Sequence, residues 1–300
     1  MSKGKLAEPE YFESFDGTRI AYYDIGEGEP IVLANGLGGT FESWRFVTDK
    51  LASRYRFISW DYRGLYYSSP PPDGSTESFS MECQAKDLKR LMEHLGIGRA
   101  ALFGWSMGTQ VILEYYRRYP EDVCGLGLIC GTAGRPFETV LGISQLKYIL
   151  PAFFLIMRRL HGPVEFLAKV TASIPGFVYV WRWLGFVSAS GDVEAFQELY
   201  KEIGRIDFES YFSTMLMLGR HDAWDVLPNI KVPAIIFAGE RDFFTPVDVA
   251  KRMHELIPKS EFVVIPDSSH YAPLEYPEEF IGHIERFLKR CFKKGRGRKR

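Results

Sequence analysis

Three hundred residues, 25% charged and 46% hydrophobic, describe an ordinary globular chain and exclude a collagen-like repeat, a disulfide-stapled miniprotein and a disordered polymer. The formal net charge of −1 hides an asymmetry. Lys289 to Arg300 carries eight basic residues and no acid, which leaves the remaining residues at 29 basic against 38 acidic.

Short apolar runs rich in β-branched and aromatic residues recur at Ile20 to Asp24, Pro30 to Ala34, Phe57 to Asp61, Ala100 to Phe103, Leu126 to Cys130, Ala234 to Ala238 and Phe262 to Ile265. Each is too short for a helix and reads as a strand. Between them lie segments of 3.6-residue periodicity, notably Met81 to Leu95, which stops before Gly96, and Val249 to Ile257. Alternating strands and helices, with strands continuously apolar, predict a mostly parallel sheet covered by helices on both faces.

The rhythm breaks between Gly134 and Arg220, where helical patterns and aromatics occur without a convincing strand. Residues 134–220 are therefore expected to form a helical cap inserted into a core made of 1–133 and 221–288. Its uncharged stretches, Tyr148 to Met157 and Val170 to Trp181, supply apolar surface that must be buried against something. The like-charge block 289–300 repels itself and is expected to be a disordered tail, able to touch nucleic acid or an anionic membrane weakly.

Four cysteines, Cys83, Cys124, Cys130 and Cys291, lack metal-ligand spacing and read as reduced thiols. The start of the chain lacks the apolar stretch of a secretory signal, and the longest uncharged run, Ala100 to Leu113, falls short of the roughly 20 apolar residues that span a bilayer. A cytoplasmic location is the expectation.

Gly104-Trp105-Ser106-Met107-Gly108 directly follows one predicted strand and precedes the helical pattern Thr109 to Arg118. That context suits a nucleophile elbow, in which small flanking residues let the backbone turn sharply and present a serine hydroxyl at the carboxyl edge of the sheet. Serine is a poor nucleophile at neutral pH, so an imidazole oriented by a carboxylate must lie nearby. Asp242 and His270 each follow a predicted strand, so a parallel sheet brings both to the edge that holds Ser106. Glu240 and Asp267 are the rival carboxylates, and His221-Asp222 is a rival pair. Neighbours in sequence cannot easily share the imidazole–carboxylate geometry while also reaching Ser106.

The order Ser106, Asp242, His270 resembles that of the α/β-hydrolase fold family, in its lidded esterase- and lipase-like form. The similarity runs from about Tyr11 to Leu288. It includes His270-x4-Glu275-x-Pro277-x2-Phe280, the run Asp225-x-Leu227-x2-Ile230-x2-Pro233, and Asp61-Tyr62-Arg63-Gly64 followed by Ser68. The resemblance implies an eight-stranded, mostly parallel sheet and a Ser106–His270–Asp242 triad. It also places Asn35-Gly36-Leu37-Gly38-Gly39 as the oxyanion loop, with the N–H groups of Leu37 and Met107 as donors. Asn35 stands where a histidine is usual, and Leu65-Tyr66-Tyr67 stands where a glycine is expected.

A serine at position 106 excludes the aspartate-dependent dehalogenases and epoxide hydrolases of that family, which leaves acyl chemistry without a metal or organic cofactor. The expected substrate is an ester of a medium, lipophilic acyl group, held by Trp105 and the cap residues Phe153, Phe154, Phe177 and Trp181. A carbon–carbon bond hydrolase, a perhydrolase and an aminopeptidase could use the same residues. A slow-turnover ligand receptor is the alternative from outside enzymology.

Overall fold

The computed structural model of the chain describes residues 8–174, 176, 177, 179, 180 and 202–293. Its strands are β1 (Glu10–Glu13), β2 (Arg19–Ile25), β3 (Glu29–Ala34), β4 (Tyr55–Trp60), β5 (Ala100–Trp105), β6 (Val123–Ile129), β7 (Ala234–Gly239) and β8 (Ser260–Ile265). They form one sheet in the order β1-β2-β4-β3-β5-β6-β7-β8. The strands β3 to β8 run parallel, while β2 pairs antiparallel with β4 and β1 antiparallel with β2. Seven of these strands coincide with the apolar runs. The eighth, β1, is a short edge strand of alternating character whose only fully buried residue is Phe12.

Strand parity divides the core between two faces. Val32 and Leu102 point to the face covered by the helices α2 (Met81–His94) and α3 (Met107–Arg118), through Leu88, Leu91, Val111 and Tyr115. Ile31, Leu33 and Phe103 point to the other, covered by α1 (Arg45–Leu51) and the last helix through Leu51, Phe280, Ile284 and Phe287. The helix α2 starts at Ser80, whose hydroxyl accepts the Cys83 N–H, and ends where Gly96 turns the chain at φ 65°.

After β6 the chain leaves the sheet and builds α4 (Pro136–Thr139), α5 (Leu146–Arg159), α6 (His161–Ser173) and α7 (Phe208–Arg220) before returning to β7. The neck is closed by an antiparallel bridge between Gly134 and Asp222, with Arg135 N–H donating to the His221 carbonyl and Ala223 N–H to that of Ala133. The sheet is then completed by α8 (Val247–Leu256), β8, the short α9 (Ala272–Glu275) and α10 (Pro277–Lys293).

The segment expected to lose structure at Lys289 stays helical through Lys293. Charge counting missed the apolar face that continues past it: Cys291 is buried beside Gly125, and the Phe292 ring sits 6.1 Å from that of Tyr55. Residues 294–300 lie outside the described part. Among the described residues no single helix is long and apolar enough to cross a membrane.

Candidate active site

Trp105 ends β5 and Met107 begins α3, so the whole reversal from strand to helix falls on Ser106, at φ 54° and ψ −116°. A non-glycine residue held there is strained, and neighbours must enforce it. Ser106 N–H donates to the Ile129 carbonyl at 2.8 Å, and its own carbonyl accepts the Thr109 N–H at 3.0 Å. The turn is also tight enough to need glycine at both flanks. A Cβ on Gly108 would lie 2.1 Å from the Ala34 oxygen, and one on Gly104 2.3 Å from the Gly108 carbonyl carbon.

His270 and Asp242 meet beyond the ends of β8 and β7, with Nδ1 of the imidazole 2.8 Å from Asp242 Oδ2. A carboxylate oxygen accepts, so Nδ1 carries the hydrogen of this bond and Nε2 is the ring nitrogen left for another partner. Asp242 is fixed from the other side. Its Oδ1 accepts the N–H groups of Phe244 and Thr245, and its Oδ2 the Thr245 hydroxyl at 2.7 Å. The Phe244 ring meets the imidazole edge-on at 5.1 Å.

The loop carrying His270 is braced twice more. Glu275, one turn further on, accepts both the N–H and the hydroxyl of Ser269 at 2.7 Å. The indole of Trp105, the residue before Ser106, donates to the His270 carbonyl at 3.0 Å. This corrects the expectation that Trp105 faces a substrate. Its ring is 5% exposed and packed edge-on against Trp44 and Tyr271, because every residue of β5 points into one or other buried face. Glu275 and Trp44 were not singled out from the sequence as site residues, and only the spacing His270-x4-Glu275 hinted at the former.

The loop after β3 lies against the elbow, since a Cβ on Gly36 would touch Ser106 Cβ at 3.4 Å. Gly39 N–H donates to the Gly36 carbonyl at 2.9 Å, and in a trans peptide that turns the Leu37 N–H the opposite way. Among the described residues no backbone carbonyl accepts the Leu37 N–H. Met107 opens α3, so its N–H has no acceptor within the helix. Asn35 is 2% exposed and holds the loop instead of facing it: Oδ1 accepts the Trp44 indole N–H at 2.8 Å and Nδ2 donates to the Trp60 carbonyl.

The rivals point elsewhere. His221 bonds to Gln110 and Glu114 on α3, the exposed Asp267 pairs with Arg241, and Glu240 accepts the Asp267 N–H. In the loop after β4, the buried guanidinium of Arg63 is clamped by Asp87 and Asp16. Burial pushes the Asp61 carboxyl up to about 7.

Among the helices between β6 and β7, Phe154 packs between Phe137, Phe153 and Phe212, and so joins α5 to α7. Phe153 itself is 47% exposed and Phe177 is half-buried. Trp181 lies outside the described residues.

A profile of the alpha/beta hydrolase fold matches residues 29–277. A 2-hydroxy-6-oxononadienedioate/2-hydroxy-6-oxononatrienedioate hydrolase of Burkholderia vietnamiensis is 29% identical over 290 residues, which cover 92% of this chain and 93% of that protein. The structure of an esterase from Thermogutta terrifontis is similar at a TM-score of 0.74 and 26% identity, over 95% of this chain and 99% of that one. An esterase from Exiguobacterium antarcticum shares the fold at a TM-score of 0.77 and 22% identity, over 94% and 100%. The profile spans most of the chain and its sheet, and this hydrolase belongs to the α/β-hydrolase fold family.

Proposed function

We propose that this hydrolase is a serine esterase that cleaves esters of a medium-length, lipophilic acyl group through an acyl-enzyme. The observation that carries the reading is the Asp242 carboxylate holding His270 Nδ1 at 2.8 Å, at the sheet edge where the strained elbow presents Ser106.

Ser106 Oγ attacks the ester carbonyl as its proton passes to His270 Nε2. Leu37 and Met107 N–H groups receive the charge that develops on the carbonyl oxygen, an effect worth a few kcal/mol of barrier. Collapse of the tetrahedral species breaks the bond to the alkoxy group, which leaves with the proton from His270. Water, deprotonated by the same imidazole, then attacks the acyl-enzyme and returns the Ser106 hydroxyl. These steps require no cofactor.

The preference for a lipophilic acyl group rests on the apolar character of α5 and of the run from Val170. Each substrate methylene taken from water contributes up to ~0.8 kcal/mol. Lengthening the acyl chain of a p-nitrophenyl ester from two to six carbons should therefore raise kcat/KM by up to about a hundredfold. A flat profile, or a preference for acetate, would remove the lipophilic part of the reading.

One observation favours a second reading. The relative from Burkholderia vietnamiensis is named as a hydrolase of a 2-hydroxy-6-oxo-dienedioate, a substrate whose name carries a ketone and no ester, which favours the carbon–carbon bond hydrolase alternative. A vinylogous diketone substrate tested beside the ester series separates the two, because an esterase of this design turns over the esters and leaves the diketone intact.

A further inference from the structure

Among the described residues six other than glycine adopt positive φ, and one of them is Tyr66, at 52°. Glycine would sit there without strain, whereas a bulky side chain crowds its own backbone. The side chain makes a contact that glycine could not: its hydroxyl donates to the Gly38 carbonyl at 2.5 Å. The ring is packed against the core, and that burial pushes the phenol pKa up, so the group is a donor throughout the neutral range.

The bonds run onward from there. The Gly38 carbonyl shares a planar peptide group with the Gly39 N–H, which donates to the Gly36 carbonyl at 2.9 Å. The Gly36 carbonyl in turn shares a peptide group with the Leu37 N–H. Fixing one end of a trans peptide aims the other, and hydrogen bonds in series polarise one another.

The loop cannot hold this geometry alone, because Gly36, Gly38 and Gly39 leave its backbone free, with Gly38 at φ 77°. Its ends are clamped from the neighbouring loop. The Tyr62 hydroxyl donates to the Asn35 carbonyl at 2.7 Å, and the Tyr66 hydroxyl holds the far side.

We propose that Tyr66 is a positioning residue for transition-state stabilisation: acting through two peptide groups, its hydroxyl aims and polarises the Leu37 N–H toward the developing oxyanion. This rests on the reading of Leu37 as an oxyanion donor given above.

Tyr66→Phe keeps the ring, the packing and the backbone and removes only the donor. For the best p-nitrophenyl ester, kcat should fall about tenfold while KM stays within about twofold. A trifluoromethyl ketone whose carbonyl carbon bonds to Ser106 Oγ, leaving a hemiketal oxyanion and a protonated His270, should lose affinity by the same factor as kcat/KM. Tyr67→Phe, at the exposed neighbour, should behave as wild type. An unchanged kcat in Tyr66→Phe overturns the inference, and so does a kcat loss that comes with a raised KM and a lowered melting temperature, since that pattern marks general loosening. Labelling of the wild-type enzyme by a fluorophosphonate separates the two levels. If Ser106 is not labelled, the esterase reading falls and this inference with it. If Ser106 is labelled and Tyr66→Phe keeps its kcat, only this inference falls.

Discussion

The indole N–H of Trp105 donates to the backbone carbonyl of His270, joining the residue before Ser106 to a histidine 165 positions further along the chain. Strands β5 and β8 are not neighbours in the sheet, because β6 and β7 lie between them. The relative position of the elbow and the imidazole would otherwise depend on two intervening strands and a loop. This bond fixes it directly.

Trp105→Phe removes that donor and part of the ring that packs on Trp44 and Tyr271. Thermal unfolding should report a loss of about 1–3 kcal/mol from the missing bond and the smaller ring. Steady-state kinetics should show kcat lower by about tenfold with KM little changed, because the base is displaced while the substrate surface is not. A variant that is destabilised yet fully active would show that the bond serves the fold alone.

Asp242→Asn should lower kcat by at least about a thousandfold, since an amide can offer its N–H to the imidazole and favour the wrong tautomer. The melting temperature should change little, because asparagine oxygen can still accept the N–H groups of Phe244 and Thr245. Glu240→Gln and Asp267→Asn should keep nearly full activity. Comparable losses in Asp242 and Asp267 variants would withdraw the assignment of the acid.

Asp61 gives a pH signature. Its Oδ1 is buried without a hydrogen-bond partner, and burial holds the carboxyl at about 7, against the support of the Tyr67 N–H and Tyr23 hydroxyl and with the Glu202 charge adding to the rise. A pKa raised on folding means that the native state keeps a proton the unfolded chain has released. The group's contribution is therefore fully present below about pH 4 and is lost as pH climbs to about 7. Asp61→Asn should remove this dependence. Denaturant titrations should find the variant level with wild type near pH 4 and more stable by up to about 4 kcal/mol above pH 7. A difference independent of pH would show that Asp61 does not titrate in this range.

Much of this site could be read in the sequence because its logic is local. A glycine-flanked serine between strand and helix signals its own turn, and an acid and a histidine just past apolar runs must reach one edge if those runs are parallel. What stayed hidden depends on tertiary direction. Nothing in the order of residues tells that the Trp105 ring turns into the core to hold His270, or that Asn35 faces Trp44 and Trp60. The strand Glu10–Glu13 has a single buried residue and thus no apolar run to reveal it. The charge of the last residues masked the Cys291 and Phe292 face that keeps α10 helical to Lys293.

Under the proposed mechanism a covalent acyl group forms on Ser106. Mixing the enzyme with excess p-nitrophenyl hexanoate, quenching in acid within milliseconds and mapping the peptides by mass spectrometry tests it most directly. A hexanoyl adduct is expected on the peptide bearing Ser106, formed no more slowly than the steady-state turnover and missing in Ser106→Ala, which should retain the wild-type melting temperature. Full turnover by wild type with no adduct at Ser106, or with the acyl group on another residue, would contradict it.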